Sequence, residues 1–283
     1  MKYIKNIIAV FLLIIVVIGC QEESTVARDN AFTALGFTTS FGAGVNKQTT
    51  VNQFESFMDL SSGATRHEWR IPEGAFFLRG PIPNQVKIFD PFIINPGTTV
   101  STDRTVHVLF KDGSSSTKVT LYNEFADSLA FQARRWNPAD STVVDTLTRT
   151  IRMGDKWVYE YELNLDVYDT IVPEMRIRDI NGVNIDLQST DVINLSQGDQ
   201  LIFEDLRSPS NNARPDLTTF RITSRNPFEV VYDSEEMTSA IDTITFDAGV
   251  GEFTGLLISK RDPTDNLAGD TQRFEIPVIF NVR

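Results

Sequence analysis

The chain has 283 residues and carries 26 Lys and Arg against 38 Asp and Glu, a formal charge of −12; so acidic a body repels nucleic acid and anionic lipid headgroups. It is 41% apolar with 20 Phe and 1 cysteine, a globular composition rich in residues suited to pleated, half-buried surfaces. A single cysteine excludes an intramolecular disulfide and a cysteine-based zinc site. The length suits two domains of ordinary size.

Residues 1–20 read MKYIKNIIAVFLLIIVVIGC. Lys2 and Lys5 form a basic start and Ile7 to Ile18 an apolar run, the pattern of a secretory signal. The run is shorter than the roughly 20 residues of a comfortable membrane span, although a retained anchor helix is the alternative. Val17-Ile18-Gly19-Cys20 resembles the bacterial lipobox, and Cys20 is the only cysteine. That resemblance implies removal of residues 1–19 as a signal peptide, diacylation of the Cys20 sulfur and acylation of its new amine. Acyl chains stabilise membrane attachment by about 0.8 kcal/mol per buried CH₂, so several of them form a lasting lipid anchor. Processing takes Lys2 and Lys5 away and leaves 24 basic against 38 acidic side chains, a formal −14. Gln21-Glu22-Glu23-Ser24 resembles the signal that sends lipoproteins to the outer face of some Gram-negative outer membranes; an ordinary solvated tether is the other reading. The expected location is the outer membrane, lipid-anchored, at the cell surface. Residues 20–32 are polar, without apolar periodicity, and read as the tether.

From residue 33 to the end, short β-rich runs alternate with turn signals, which predicts an all-β protein with a first domain over 33–168 and a second over 169–283. The stretch from Glu73 to Gly97 contains EGAFFLRGPIPNQ and FDPFIINPG, and its adjacent Phe76 and Phe77 are candidate binding rings, with core or loop anchoring as the alternative. In LAFQARRWNPAD, Leu129, Phe131 and Ala133 share one strand face while Gln132, Arg134 and Trp136 share the other, and Asn137-Pro138 turns the chain. An indole beside guanidinium groups near a hairpin tip can stack on a sugar ring, or it can cover a neighbouring domain or the Arg134 stem. Trp157 to Asp166 alternates as a strand with one solvated face. Asn181-Gly182, between MRIRDI and VNIDL, predicts a two-residue hairpin turn with both residues at positive φ.

The two halves repeat one another. Phe57, Asp59, Leu60, Ser62 and Trp69-Arg70-Ile71 match Phe203, Asp205, Leu206, Ser208 and Phe220-Arg221-Ile222, and the spacing of Phe110, Gly113 and Leu121 recurs in Phe246, Gly249 and Leu257. A duplicated domain follows. The segments FMDLSSGATRHEW, VLFKDGSSSTKVTLYN, IFEDLRS and ITFDAGVGEFTGLLIS resemble the PKD (polycystic kidney disease) domain, an immunoglobulin-like β-sandwich, although the W-x-F-G-D-G turn of that family is absent from both copies. The resemblance implies two tandem immunoglobulin-like (PKD-like) sandwiches. Trp69 and Phe220 are expected to fill the space between sheets, and Asp59 and Asp205 to accept turn amides. From Trp69 to Phe110 are 41 positions against 26 from Phe220 to Phe246, and 123–155 has no counterpart; such long loops are where sandwiches carry binding function.

No hydrolase, metalloprotease, P-loop or dinucleotide motif is present, and His67 and His107, 40 positions apart, lie in no metal-like spacing. The chain is expected not to be an enzyme and to need no cofactor. Asp262, Asp265, Asn266 and Asp270 in RDPTDNLAGD could gather oxygens for a calcium ion, with an ordinary acidic hairpin loop as the alternative. Two functions stand. One is a surface lipoprotein binding polysaccharide, resembling tandem-sandwich accessory proteins that accompany outer-membrane saccharide importers. The other is a structural or adhesive envelope module making protein contacts.

Overall fold

The computed structural model describes residues 34–41, 47–137, 140, 142–208, 210, 212–264 and 266–283, so the signal segment, Cys20 and the tether lie outside the described residues. Strands dominate, and the helical content among the described residues is one 3-10 turn at Asp90–Phe92.

Two sheets form the first unit. One runs in the order Phe37–Thr39, Phe54–Asp59, Thr105–Phe110, Ala75–Leu78. The other runs Ile151–Met153, Lys156–Tyr168, Ser114–Phe125, Arg66–Arg70, Val100–Ser101, and Gln48–Thr50 adds to Lys156–Tyr168 in parallel. The second unit repeats this plan. Asn184–Ile185, Met175–Asp179, Gln200–Asp205 and Ile241–Thr245 face Val192–Leu195, Ile279–Val282, Gly251–Arg261, Leu217–Arg225 and Phe228–Asp233, with Asp270–Glu275 also on Gly251–Arg261. Val192–Leu195 joins Ile279–Val282 in parallel. Alternation is the cause: the inward rows are apolar, and packing sheet on sheet buries them. These are tandem immunoglobulin-like β-sandwiches.

Each sandwich has its own core, and the two cores are built alike. Trp69 stands opposite Leu121 and Phe220 opposite Leu257, all four fully buried. The Phe57 and Trp69 rings lie 5.6 Å apart, the Phe203 and Phe220 rings 5.7 Å. Asp59 Oδ1 accepts from the Ser61 amide and Asp205 Oδ1 from the Arg207 amide, both at 2.8 Å. The aligned residues therefore occupy equivalent places in three dimensions.

Two local expectations change. The turn after Met175–Asp179 places only Gly182 at positive φ, +84°. The Gly182 amide donates to the Asp179 carbonyl and the Asp179 amide to the Val183 carbonyl, so the loop has three residues, Ile180 to Gly182, the last taking the left-handed place. The second change concerns the 73–97 insertion. Its Ile82, Val86, Phe89, Phe92 and Ile93 close over Phe54, Phe76, Leu78 and Leu109 as a satellite core on the outer face of the first sheet. Phe89 meets Phe54 edge to face at 4.9 Å. The excess chain covers a sheet face that is apolar on both sides.

Where the sandwiches meet, the contacts are mostly polar. The Asp169 carboxylate accepts from the Gly113 amide (2.8 Å) and from the Ser210 hydroxyl, and the Asn212 amide group donates to the Gly113 carbonyl at 2.8 Å. The Arg214 guanidinium pairs with Asp166 and lies 3.7 Å from the Tyr168 ring centroid. Arg261, almost fully buried, donates to the Asp169 carbonyl at 3.1 Å and to the Ala213 carbonyl.

Candidate functional site

Beside the 73–97 insertion, the first sandwich carries a second addition with no counterpart in the other among the described residues. Ala130–Asn137 and Thr142–Arg149 form an antiparallel ribbon of eight consecutive residue pairs with no slip in register, and neither strand pairs with any other among the described residues. Leu129 and Phe131 pack on the first core, and Thr150 is tied to Leu129 by its amide and by its hydroxyl. These contacts root the arm. Beyond them it exposes Val143, Val144 and Leu147, the last 56% accessible, together with Gln132. The core covers none of these three aliphatic side chains.

Of the candidate binding residues, Gln132 is exposed opposite Leu147, and the backbone of Arg134 and Trp136 stands opposite Asp145 and Val143. Trp136 is thus one pair from the end pair Asn137 and Thr142. The side chains of Arg134 and Trp136 lie outside what is described. Phe76 and Phe77 part company with the arm: Phe77 points inward at 5% exposure and Phe76 packs under the insertion. Consecutive residues on a strand face opposite ways, and here both faces are covered, so both rings are packed.

A charged surface, unforeseen from the sequence, adjoins the arm's root. Ile151, next to Thr150, stands opposite Val158, and Val158 stands opposite Glu124. Arg66, Glu68 and Arg70 alternate on one face of their strand, the only sequence signal for this cluster. Glu68 Oε1 accepts from Arg66 Nε at 2.8 Å, and its Oε2 from Arg70 Nη2 at 2.9 Å. Glu124 accepts from Tyr122 Oη at 2.9 Å and pairs with Lys156 at 2.5 Å and Arg66 at 3.4 Å. The Arg70 guanidinium lies 4.2 Å from the Tyr122 ring centroid. Burial works against the Glu68 charge, but hydrogen bonds from Arg66 and Arg70 outweigh it and hold the carboxyl below its usual value. The bond from Lys156 does the same for Glu124 against burial, helped by Tyr122. Carboxyls kept ionised in this way cannot donate a proton at neutral pH.

The histidines do not meet. His107 Nδ1 lies 2.7 Å from Ser56 Oγ, edge-on to Phe54, and burial lowers its pKa; His67 Nδ1 lies 3.6 Å from Asp59 Oδ2. Two of the calcium candidates have other partners. Asp262 pairs with Lys260 at 2.8 Å, Asp270 accepts from the Ile171 amide at 2.8 Å, and Asp265 lies outside the described residues. Among the described residues no group of three or more His, Cys, Asp and Glu side chains could hold a metal ion.

No protein-family model and no curated protein matches this chain. Among solved structures it is similar to domains A168–A170 of titin, at 8% identity and a TM-score of 0.35, over 86% of this chain and 67% of that one. It is also similar to fibronectin(III)-like modules of Clostridium thermocellum CbhA, at 9% identity and a TM-score of 0.28, over 88% and 94%. A third is the ectodomain of mouse nectin-like molecule 4, at 10% identity and a TM-score of 0.23, over 83% and 97%. Likenesses this distant say nothing of activity or partner, and the fold rests on the strand order and cores described above.

Proposed function

We propose that this chain is a non-catalytic, lipid-anchored module of the bacterial cell surface, in which two PKD-like sandwiches act as a spacer and the arm of the first contacts another protein. One observation carries the reading: an eight-pair ribbon that joins no other strand among the described residues yet exposes Val143, Val144 and Leu147. Buried aliphatic and aromatic anchors supply most of the energy of protein contacts. The anchor rests on Cys20 in its lipobox-like setting.

The test uses the full-length chain in cells, with a photo-crosslinking amino acid at Leu147 and, as control, at Val250, exposed in the second sandwich. A protein adduct at 147 and none at 250 is expected. Absence of an adduct at 147 refutes the contact role. For the anchor, Cys20→Ser is expected to abolish labelling by a clickable fatty acid, and undiminished labelling refutes it.

A second reading, polysaccharide binding beside a saccharide importer, is favoured by Trp136 standing one pair from the arm's end on the row of exposed Gln132. Its signature is retardation of the chain in a polysaccharide affinity gel that Trp136→Ala removes. No retardation on any polysaccharide of a broad panel sinks it.

A further inference from the structure

Edge strands expose alternate backbone N–H and C=O groups, and proteins normally blunt them with Lys, Pro or a bulge. Thr142–Arg149, sequence TVVDTLTR, has no Lys, Pro or bulge, and its charges are Asp145 and Arg149: its eight pairs with Ala130–Asn137 are unbroken, and its outer edge meets no strand among the described residues. Five of its eight residues are Val or Thr, the β-branched types that favour strand pairing. Six of the eight positions from 142 to 149 are exposed, and Leu147, near the root end, is more exposed than Val143 or Val144.

The sequence of this edge is complementary to itself. Two antiparallel strands related by a two-fold axis place one residue opposite its own copy, and the choice of that residue fixes every other pair. With Leu147 on the axis, Asp145 stands opposite the partner's Arg149 and Arg149 opposite the partner's Asp145, while Thr146 stands opposite Thr148. Placing Thr146 on the axis sets Asp145 against Leu147 and Val143 against Arg149; placing Asp145 there sets two carboxylates face to face. Only the Leu147 register matches both charges with opposite charges and leucine with leucine. Cross-strand pairs of these kinds are the stabilising ones. Asp145 already has an interaction within its own chain, and the partner's guanidinium adds to it.

We propose that Asp145–Arg149 pairs antiparallel with the same five residues of a second copy of this chain, about a two-fold axis at Leu147, joining the root halves of two arms edge to edge. The partner of the arm is then another molecule of the same protein. This rests on the arm's role as contact element, but it is read out differently, by mass in solution.

Residues 21–283 hold every described strand and serve for sedimentation equilibrium over about 1 µM to 1 mM, the range in which a small interface associates. A reversible monomer–dimer equilibrium is expected. Leu147→Lys sets two ammonium groups on the axis and weakens it by at least about tenfold. Asp145→Arg, which opposes two guanidiniums, weakens it similarly, and the double variant Asp145→Arg/Arg149→Asp restores it to within about threefold. Within one strand positions 145 and 149 are about 13 Å apart, beyond ion-pair reach, so recovery can only come across copies. A chain that stays monomeric throughout, or a double variant no better than Asp145→Arg, overturns the pairing. If an adduct to a different protein still forms at position 147 in cells, the contact role survives that failure; if none forms, both fall.

Discussion

Asp205 is nearly inaccessible, yet it holds three donors: its Oδ1 takes the Arg207 amide at 2.8 Å, and its Oδ2 takes the Thr218 and Ser259 hydroxyls at 2.7 and 2.9 Å. Its counterpart Asp59 takes the Ser61 amide at 2.8 Å and faces His67 at 3.6 Å. Removing a buried acceptor strands its donors at about 1–3 kcal/mol each before relaxation. Asp205→Ala should therefore cost about 3 kcal/mol in urea unfolding, and Asp59→Ala less, about 1–2 kcal/mol. Equal and negligible losses would show that the carboxylates are incidental. Glu68 and Glu124 add a pH dependence. Both carboxyls titrate lower in the folded chain than the ordinary 4.5, so their stabilisation is complete above that value and is lost as pH falls through the folded pKa values. Melting temperature should drop below pH 4.5 in the native chain, and Glu68→Gln/Glu124→Gln should flatten that acid limb. An unchanged limb in the double variant would assign it to other groups. The turn role of Asp59 and Asp205 is legible in sequence, because an Asp just after an alternating strand has few other uses. The hydroxyl partners are not, since Thr218 and Ser259 come from distant strands and no short-range pattern ties them to position 205.

At the scale of elements, the two additions to the first sandwich have opposite fates. The 73–97 insertion folds down: Phe89 is buried at 7% exposure and meets Phe54, so Phe89→Ala should cost about 3 kcal/mol as a core truncation does. A change below about 0.5 kcal/mol would be that of a surface loop, and would return the insertion to the class of binding loops. The 130–149 arm stands apart, so excising residues 132–147 and joining Phe131 to Thr148, which are opposite each other, through Asn-Gly should leave the urea midpoint unchanged within error. Loss of more than about 1 kcal/mol would mean that the arm buries more apolar surface than its root does. Length alone marks both insertions in the sequence. It cannot tell them apart, because the destination of a loop depends on what lies across from it. The turn signal Asn137-Pro138, in contrast, is local in the sequence, which is why Trp136 is placed near the tip from sequence; its backbone stands one pair from the end pair.

For the molecule as a whole, the repeat of buried rings is readable because duplication preserves spacing, whereas the seam between copies is unique and leaves no period to detect. Gly113 illustrates this: it aligns with Gly249, but Gly249 has φ +112° while a Cβ at Gly113 would strike the Asp169 carboxylate at 2.4 Å. In the first copy the glycine lets the junction close. The seam is held by Asp169 on Gly113 and Ser210, by Arg214 on Asp166, and by Arg261 on two carbonyls with its guanidinium 4.8 Å from the Tyr168 centroid. Polar contacts of this kind hold an angle only while their bonds are complete. Residues 21–283 without Cys20 carry no thiol, so Ala126→Cys and Ala248→Cys, one exposed site in each sandwich, can be spin-labelled cleanly. The native junction should give a single narrow label-to-label distance. Arg261→Met together with Asp169→Ala should broaden it at least about twofold while each sandwich stays folded, because the two cores share no residue and the change removes hydrogen bonds but little buried apolar area. A broad distribution in the native chain, or an equally narrow one in the double variant, would mean that these contacts do not set the angle at which the arm is presented.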